Sequence, residues 1–273
     1  MVWKSKQNNM KTKKPIIIFR FHKEPVVCLN RLEILKHYNP SVPIYGIYGG
    51  DISDFPEHQK ILKNYFIDIY VIKSDSSEWK WKNSDLVLLE WYNDAGKHID
   101  FSMAFFIEWD LLLFGDIEDI YSSINEGDVG ITGMIPLTKI ENTWYWTSVE
   151  PHKSEWTALL NFVSMYYQYK AIPLASLGCG LCFPKSFLEK YTELYLPELC
   201  HDELRTPLAA QLLGFPVKDT GFMRDWLNPY EIKYFNCYKN RLIALQTIIE
   251  ELTLKRRKAF HPFRDIFDLS NIL

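Results

Sequence analysis

The sequence predicts an α/β protein with a doubly wound, mostly parallel central sheet flanked by helices. Short apolar runs alternate with segments of helical periodicity, and polar or glycine-containing breaks follow the apolar runs. Alternating strands and helices are typical of parallel sheets, because each parallel connection must return the chain along the sheet. The chain has 273 residues, 47% hydrophobic and 24% charged, which is enough to bury a sizeable core.

The first half of the chain supplies four predicted strands. Residues 15–21 include the β-branched triplet Ile16-Ile17-Ile18, which is typical of a buried strand. Pro25 is a suitable first residue for a helix that stops before Pro40. The remaining predicted segments are strands at 42–48, 66–72 and 101–107, a helix at 56–65, a buried apolar segment at 85–92 and a short helix capped by Asp116.

The second half continues the pattern with longer helices. Thr206 and Pro207 are predicted to be the N-cap and first residue of a helix that ends at Gly214. The predicted strands are 129–135, 177–183 and 215–219, and the predicted helices are 154–169, 184–194, 208–213 and 229–255.

We expect a basic flexible arm at 1–14 and a single domain at 15–273. This domain divides into a first half at about 15–115, a second half at about 116–225 and a C-terminal helical segment at about 226–273. The net charge of −3 and the lack of a large basic block argue against a nucleic-acid partner. No apolar run reaches the roughly 18 residues that span a bilayer, so we expect no transmembrane segment and a cytoplasmic location, with peripheral membrane attachment as the alternative.

Five scattered cysteines form no disulfide framework, and we expect them to be reduced. Cys179 and Cys182 have CxxC-like spacing, but no second pair completes a zinc site.

Two carboxylates follow the apolar run at 101–107. Residues i and i+2 of a strand face the same side, so Glu108 and Asp110 are predicted to aim their oxygens at one point beyond the sheet edge. Burying carboxylates is costly unless something compensates them, and a hard divalent cation such as Mn²⁺ or Mg²⁺ would do so. A solvated turn after the strand is the alternative interpretation.

Other breaks between elements carry candidate ligand-binding residues. The carboxyl ends of parallel strands line the ligand crevice of such sheets. The residues predicted there are candidates for holding a nucleotide base and ribose, with ordinary loop residues as the alternative: Arg20, His22, Gly49, Gly50 and Asp51. Lys97 is a candidate for a phosphate contact, or else a solvated lysine in a turn. Trp144 and Trp146 alternate along the chain and could present two indoles to a sugar acceptor.

The apolar run at 177–183 contains two glycines, Gly178 and Gly180. Glycine inside a strand indicates either close approach of another group, such as a ligand, or a β-bulge. A second acidic cluster follows at His201-Asp202-Glu203, in the predicted turn before the helix at 208–213. There the acids could serve chemistry or merely complement the helix dipole.

These motifs, in this order, resemble those of GT-A glycosyltransferases, which are nucleotide-diphospho-sugar transferases. Glu108-Trp109-Asp110 is similar to the DxD motif, the run at 177–183 to the glycine-rich loop beside the donor sugar, and Asp202-Glu203 to the xED motif of inverting enzymes. His261-Pro262 resembles the C-terminal histidine that completes the metal shell. Glutamate replaces the first aspartate of DxD and the last aspartate of xED.

The resemblance implies a GT-A-like domain with hexosyltransferase activity that moves a sugar from a nucleotide-sugar, with UDP as the expected nucleotide, to an acceptor hydroxyl with inversion. It makes the part at about 15–115 the nucleotide-binding half and the part at about 116–225 the acceptor half. The implied metal ligands are Glu108, Asp110 and His261, and the implied base is Glu203 or Asp202. A nucleotidyltransferase shares this topology but ordinarily has a Gly- and Arg/Lys-rich phosphate loop after the first strand, which Phe19-Arg20-Phe21-His22 lacks. A catalytically inactive, glycosyltransferase-like binding protein is the third reading.

Overall fold

In the computed structural model, residues 14–272 are described, and most of the predicted arm at 1–14 lies outside them. Within the described range, the strands of the central sheet are β1 Pro15–Phe21, β2 Ile44–Tyr48, β3 Ile69–Val71, β4 Met103–Glu108, β6 Val129–Pro136, β7 Leu174–Pro184 and β8 Val217–Asp219. These seven strands lie in the order β3-β2-β1-β4-β7-β6-β8. β7 runs antiparallel to both neighbours, β4 and β6, and the other pairs are parallel. The predicted mostly parallel sheet is therefore confirmed.

Helices cover both faces of this sheet, as a doubly wound fold requires. Alternate residues of β1 enter two separate cores, with Ile17 and Phe19 in one and Ile16 and Ile18 in the other. This alternation follows from the period of two along a strand. The helices are α1 Pro25–Tyr38, α2 Phe55–Leu62, α3 Ser77–Lys82, α4 Ser84–Asp94, α5 Ile117–Ile120, α6 Tyr145–Ser148, α7 His152–Tyr166, α8 Lys185–Glu193, α9 Asp202–Leu212 and α10 Leu245–Thr253.

A second, two-stranded sheet joins distant parts of the chain. β5, Leu112–Leu113, pairs antiparallel with β9, Ala259–Phe260. A small core of aromatic and aliphatic side chains surrounds the pair, including Phe114, Phe263 and Phe267. This pairing fixes the last part of the chain beside the end of β4.

The predicted helix at 229–255 is wrong over its first half. Only Leu245–Thr253 is α-helical, and 231–233 is a single 3₁₀ turn. Phe235 instead forms a β-bridge with His261, which takes this stretch out of helical geometry. A tertiary contact thus overrides the local helical pattern.

The predicted start of the helix at 208 is also wrong, because α9 begins six residues earlier at Asp202. Pro207 therefore lies inside the helix, where it has no N–H to donate to the carbonyl of Glu203. The Ser176 hydroxyl donates to that carbonyl instead, at 3.3 Å. The cap predicted for Asp116 and the end predicted at Gly214 agree with the structure.

A buried ion pair ties α9 to α4. Arg205 is fully buried, and its guanidinium donates to both carboxylate oxygens of Asp85 and to Asn83 Oδ1. The Tyr191 hydroxyl also donates to Asp85, at 2.6 Å. The charges are therefore paired and hydrogen-bonded, which is the condition for burying them.

Replacing Asp85 by Asn is expected to lower the free energy of unfolding by about 3–5 kcal/mol, because it leaves the Arg205 charge buried and unpaired. Urea unfolding measures the change. Asp94→Asn is the matched control on the same helix, since Asp94 pairs with Lys73 at the surface and such pairs contribute about 0.2–1 kcal/mol. Equal effects of the two substitutions would contradict the assignment.

Candidate active site

The candidate ligand-binding residues at the carboxyl ends of β1, β2 and β4 lie at one edge of the sheet. Arg20 on β1 is the register partner of Glu108 on β4, and Phe21 is the partner of Tyr48 on β2. His22, Gly49 and Asp51 follow directly after these strands, so they lie at the same edge. This is the edge at which open α/β sheets bind ligands.

Glu108 and Asp110 both stand where β4 ends, but strand alternation is not what orients them, because only Glu108 belongs to the strand. β4 ends at Glu108, and Asp110 is already in a turn closed by the bond from Leu111 N to Glu108 O. Glu108 Oε2 accepts from Gly180 N on β7, at 3.2 Å. Asp110 Oδ2 accepts from Arg264 Nε, at 2.9 Å. A strand periodicity does not hold across a turn.

Asp110 meets His261 from the other end of the chain, with Oδ1 3.3 Å from Nε2. The small sheet explains the contact, because Asp110 lies just before β5 and His261 directly after β9. Phe263 N also donates to Asp110 O, at 2.9 Å. The pairing of β5 with β9 therefore delivers the imidazole to the carboxylate.

The chemistry of this pair fits a divalent cation. His261 Nδ1 lies 2.6 Å from the carbonyl of Asn236 and donates its proton to it, so Nε2 is the nitrogen that faces Asp110 Oδ1. Asp110 raises the pKa of His261, so Nε2 carries a second proton here, and a bound cation would take the place of that proton. Two acceptors that face each other need a proton or a metal between them. A second ring nitrogen anchored on a carbonyl is typical of metal-binding histidines. Glu108 Oε1 is buried without a hydrogen-bond partner, which leaves a possible third ligand atom uncommitted.

The full predicted ligand set does not converge in the described part of the chain. Within 14–272, the group of three His, Cys, Asp or Glu side chains whose ligand atoms all lie within 4.8 Å of one another is Cys179, Cys237 and His261. Glu108 therefore does not join Asp110 and His261 within that distance. Its place in a metal shell stays a proposal.

The two glycines of β7 hold the two glutamates. Gly178 N donates to Glu203 Oε1 at 3.0 Å, and Gly180 N donates to Glu108 Oε2. A Cβ at Gly178 would lie 3.3 Å from Asp202 Oδ1, and Gly180 has φ +67° with the Phe222 ring 2.9 Å from a Cβ position. The groups that approach the backbone here are thus the protein's own acids and Phe222.

The alternative of a β-bulge is also present. Gly130 on β6 pairs with Cys182 on β7, and Thr132 pairs with Leu177. An advance of two residues along β6 therefore corresponds to five residues along β7. The extra residues of β7 include both glycines.

Asp202 and Glu203 are the first residues of α9, near its positive end. Asp202 Oδ1 pairs with His201 Nδ1 at 2.7 Å, and its Oδ2 accepts from Ser84 N at 3.1 Å. Glu203 Oε2 accepts from the indole N–H of Trp146 at 2.6 Å. Both acids are buried, at 2% and 6% exposure, and each is committed to different partners.

The environments push the pKa values of these acids apart. Burial raises the pKa of Glu203 to about 8, although His201 opposes the rise. Burial alone would also raise the pKa of Asp202, but His201 and Ser84 more than offset it and hold that pKa below its usual value. Paired acids with diverging pKa values are typical of acid-base sites, and a base is most effective when its pKa lies near the working pH.

A similar contrast separates Glu108 from Asp110. Burial raises the pKa of Glu108 to about 8, with Arg20 and His261 opposing. For Asp110 burial also acts upward, but His261 and Arg264 hold its pKa well below the usual range. Burial would lower the pKa of His261, yet Asp110 raises it well above the ordinary value.

The other predicted ligand residues divide into two groups. His22 packs edge-on against Trp109, and burial followed by Arg20 lowers its pKa to about 4. Gly49 N donates to Phe21 O, Asp51 is exposed, and the Arg20 guanidinium donates to Ser84 Oγ and Lys80 O. Lys97 is different, because it is exposed in the turn before β4 begins and so lies at the opposite edge of the sheet.

The two tryptophans do not present a shared face. Trp144 is the N-cap of α6 and packs edge-on against Trp226, whereas Trp146 lies inside that short helix. Trp146 is 7% exposed and stacks on His201, with ring centroids 4.1 Å apart. Residues i and i+2 of a helical turn do not face the same side, so the strand-like alternation expected for Trp144 and Trp146 does not occur.

Sequence reasoning missed three residues around the site. They are Arg264, which donates to Asp110, Asn236, which contacts His261, and Cys237, which contacts Cys179. Arg264 follows the predicted His261 by three residues, and this nearness was an available signal. Asn236 and Cys237 carried none, because the bridge between Phe235 and His261 brings them in.

No protein-family model and no curated protein matches the chain. Among the described residues, no helix is both long and apolar enough to cross a bilayer. The chain is similar to several solved structures. They include a cytidylyltransferase from Leptospira borgpetersenii (12% identity, 76% of this chain and 75% of that chain, TM-score 0.41). They also include core-mannan synthase A from Aspergillus fumigatus in a form with Mn and GDP (10% identity, 77% and 73%, TM-score 0.40).

A third is the galactosyltransferase LgtC in complex with donor and acceptor sugar analogs (9% identity, 75% and 72%, TM-score 0.40).

Proposed function

We propose that the protein is a metal-dependent glycosyltransferase of hexosyltransferase type. It would move a sugar from a nucleotide-sugar, with UDP as the expected nucleotide, to an acceptor hydroxyl with inversion. The observation that carries the proposal is the approach of His261 Nε2 to Asp110 Oδ1 at the ligand-binding edge of the sheet. Nothing in the local sequence requires these two groups to meet.

Asp110 and His261 would hold Mn²⁺ or Mg²⁺, with Glu108 as a further oxygen ligand. When bound, the cation would offset the charge that develops on the departing nucleoside diphosphate. Arg264 already donates to Asp110 Oδ2, which orients the carboxylate and leaves Oδ1 turned toward His261. Asn236 does the same for the imidazole through its carbonyl.

Glu203 is the better placed base of the two acids. Its pKa of about 8 makes the Glu203 carboxylate a stronger base than that of Asp202, whose pKa His201 lowers. Gly178 N and Trp146 Nε1 fix both oxygens of Glu203, so the carboxylate is oriented before an acceptor arrives. Such a positioned base contributes about 10²- to 10⁴-fold to the rate.

The test is incubation with a panel of nucleotide-sugars, with Mn²⁺ and with EDTA. We expect one nucleotide-sugar to be hydrolysed slowly and to raise the melting temperature, with both effects lost in EDTA. Proton NMR of the product sugar reads the anomeric configuration. No stabilisation and no hydrolysis with any donor would contradict the proposal.

The same assay separates the alternatives. A nucleotidyltransferase would release pyrophosphate from a nucleoside triphosphate and a sugar phosphate, and would not release sugar from the panel. An inactive binding protein would show the rise in melting temperature without turnover.

A further inference from the structure

Two thiols meet next to the candidate metal pair. Cys179 Sγ on β7 lies 3.4 Å from Cys237 Sγ, which belongs to the loop after the bridge at Phe235. Cys179 is buried and Cys237 is exposed. The other three cysteines, Cys28, Cys182 and Cys200, are all buried. The CxxC-like spacing of Cys179 and Cys182 therefore does not identify the pair.

The position of the pair connects both halves of the site. Cys179 lies between Gly178 and Gly180, whose amides hold Glu203 and Glu108. Cys237 follows Asn236, whose carbonyl orients His261, and Cys179 Sγ is itself 3.5 Å from His261 Nδ1. A bond between the two sulfurs would join these two anchoring segments.

We propose that Cys179 and Cys237 form a reversible disulfide site that low-molecular-weight disulfides oxidise. The exposed Cys237 thiolate attacks one sulfur of glutathione disulfide, forms a mixed disulfide and releases one glutathione. Cys179 then attacks Cys237 Sγ, which forms the protein disulfide and releases the second glutathione. Two electrons pass from the protein thiols to glutathione disulfide, and the two thiol protons go to the two released glutathione thiolates.

The bond changes the site because the sulfurs must move. A disulfide requires about 2.05 Å between sulfurs, so the segments at 178–180 and 236–237 must approach each other. That movement shifts the amides that hold Glu203 and Glu108 and the carbonyl that holds His261. A displacement of about 1 Å in a catalytic group can reduce a rate by about 10²-fold. This consequence for activity rests on the proposed function, whereas the thiol chemistry does not.

The experiment oxidises the full-length protein with glutathione disulfide at a series of ratios to glutathione and counts free thiols. The sequence has five cysteines, so we expect the number of free thiols to fall from five to three when two of them pair. Peptide mapping should find Cys179 joined to Cys237. Cys182→Ser, which changes the neighbouring buried thiol on β7, should still form the bond, and Cys237→Ser should not. Five retained thiols, or a bond mapped to another pair, would overturn the proposal.

A second readout tests the coupling to the site. Within each variant, the rate of donor hydrolysis after oxidation is divided by the rate after reduction with dithiothreitol. We expect about a 10²-fold loss on oxidation in the parent and in Cys182→Ser, fully recovered on reduction, and a ratio near one in Cys237→Ser. A mapped disulfide with an unchanged rate would overturn the coupling. If no nucleotide-sugar is hydrolysed at all, the proposed function fails while the thiol count still decides the disulfide.

Discussion

Replacing Asp110 by Asn is expected to reduce sugar transfer by about 10³-fold and to remove the stabilisation by Mn²⁺. The amide keeps the shape of the carboxylate but not its charge. It would therefore no longer compensate a cation held between position 110 and His261 Nε2, which lies 3.3 Å from Asp110 Oδ1. The measurements are the steady-state rate with the donor that the panel identifies and the melting temperature with and without Mn²⁺.

Two controls separate a metal ligand from a structural residue. Asp116→Asn changes another aspartate a few residues away that caps α5, and asparagine caps equally well, so activity should be unchanged. His261→Gln should lose the Mn²⁺ effect as Asp110→Asn does, because it removes the facing nitrogen. An Asp110→Asn protein that still responds to Mn²⁺ at the parent rate would contradict the metal assignment.

Replacing Glu203 by Gln is expected to lower the rate by about 10²- to 10⁴-fold while donor binding persists. The pH profile is the sharper measurement. A base acts when deprotonated, so the parent kcat/KM should rise with pH and level off above about 8, where burial places the pKa of Glu203. Glutamine cannot titrate, so this rising limb should disappear.

Glu198→Gln is the matched control, because Glu198 also accepts an indole N–H, that of Trp79, but at an exposed position. It should leave both the rate and the profile intact. If the rising limb persists in Glu203→Gln and disappears in Asp202→Asn, then Asp202 is the base and the assignment made here is wrong.

Local patterns were sufficient for most of the scaffold. The triplet Ile16-Ile17-Ile18 predicted β1, and Asp116 predicted the cap of α5, because strand burial and helix capping depend on neighbouring residues. The patterns failed at Pro207 and along 229–244. At Pro207 the distant Ser176 donates the hydrogen bond that the helix itself would otherwise supply, and in 229–244 the bridge of Phe235 to His261 replaces helical hydrogen bonding.

By itself the sequence determined the alternation of strands and helices, the edge of the sheet where Glu108 and Asp110 stand, and the order of the acidic and glycine motifs. Only the tertiary structure decided which groups face one another. It placed His261 on Asp110 through the pairing of β5 with β9, and it gave the amides of Gly178 and Gly180 to Glu203 and Glu108. The physical reason is that strand and helix periodicities act over a few residues, whereas hydrogen bonds and charges pair whichever groups the packed core brings together.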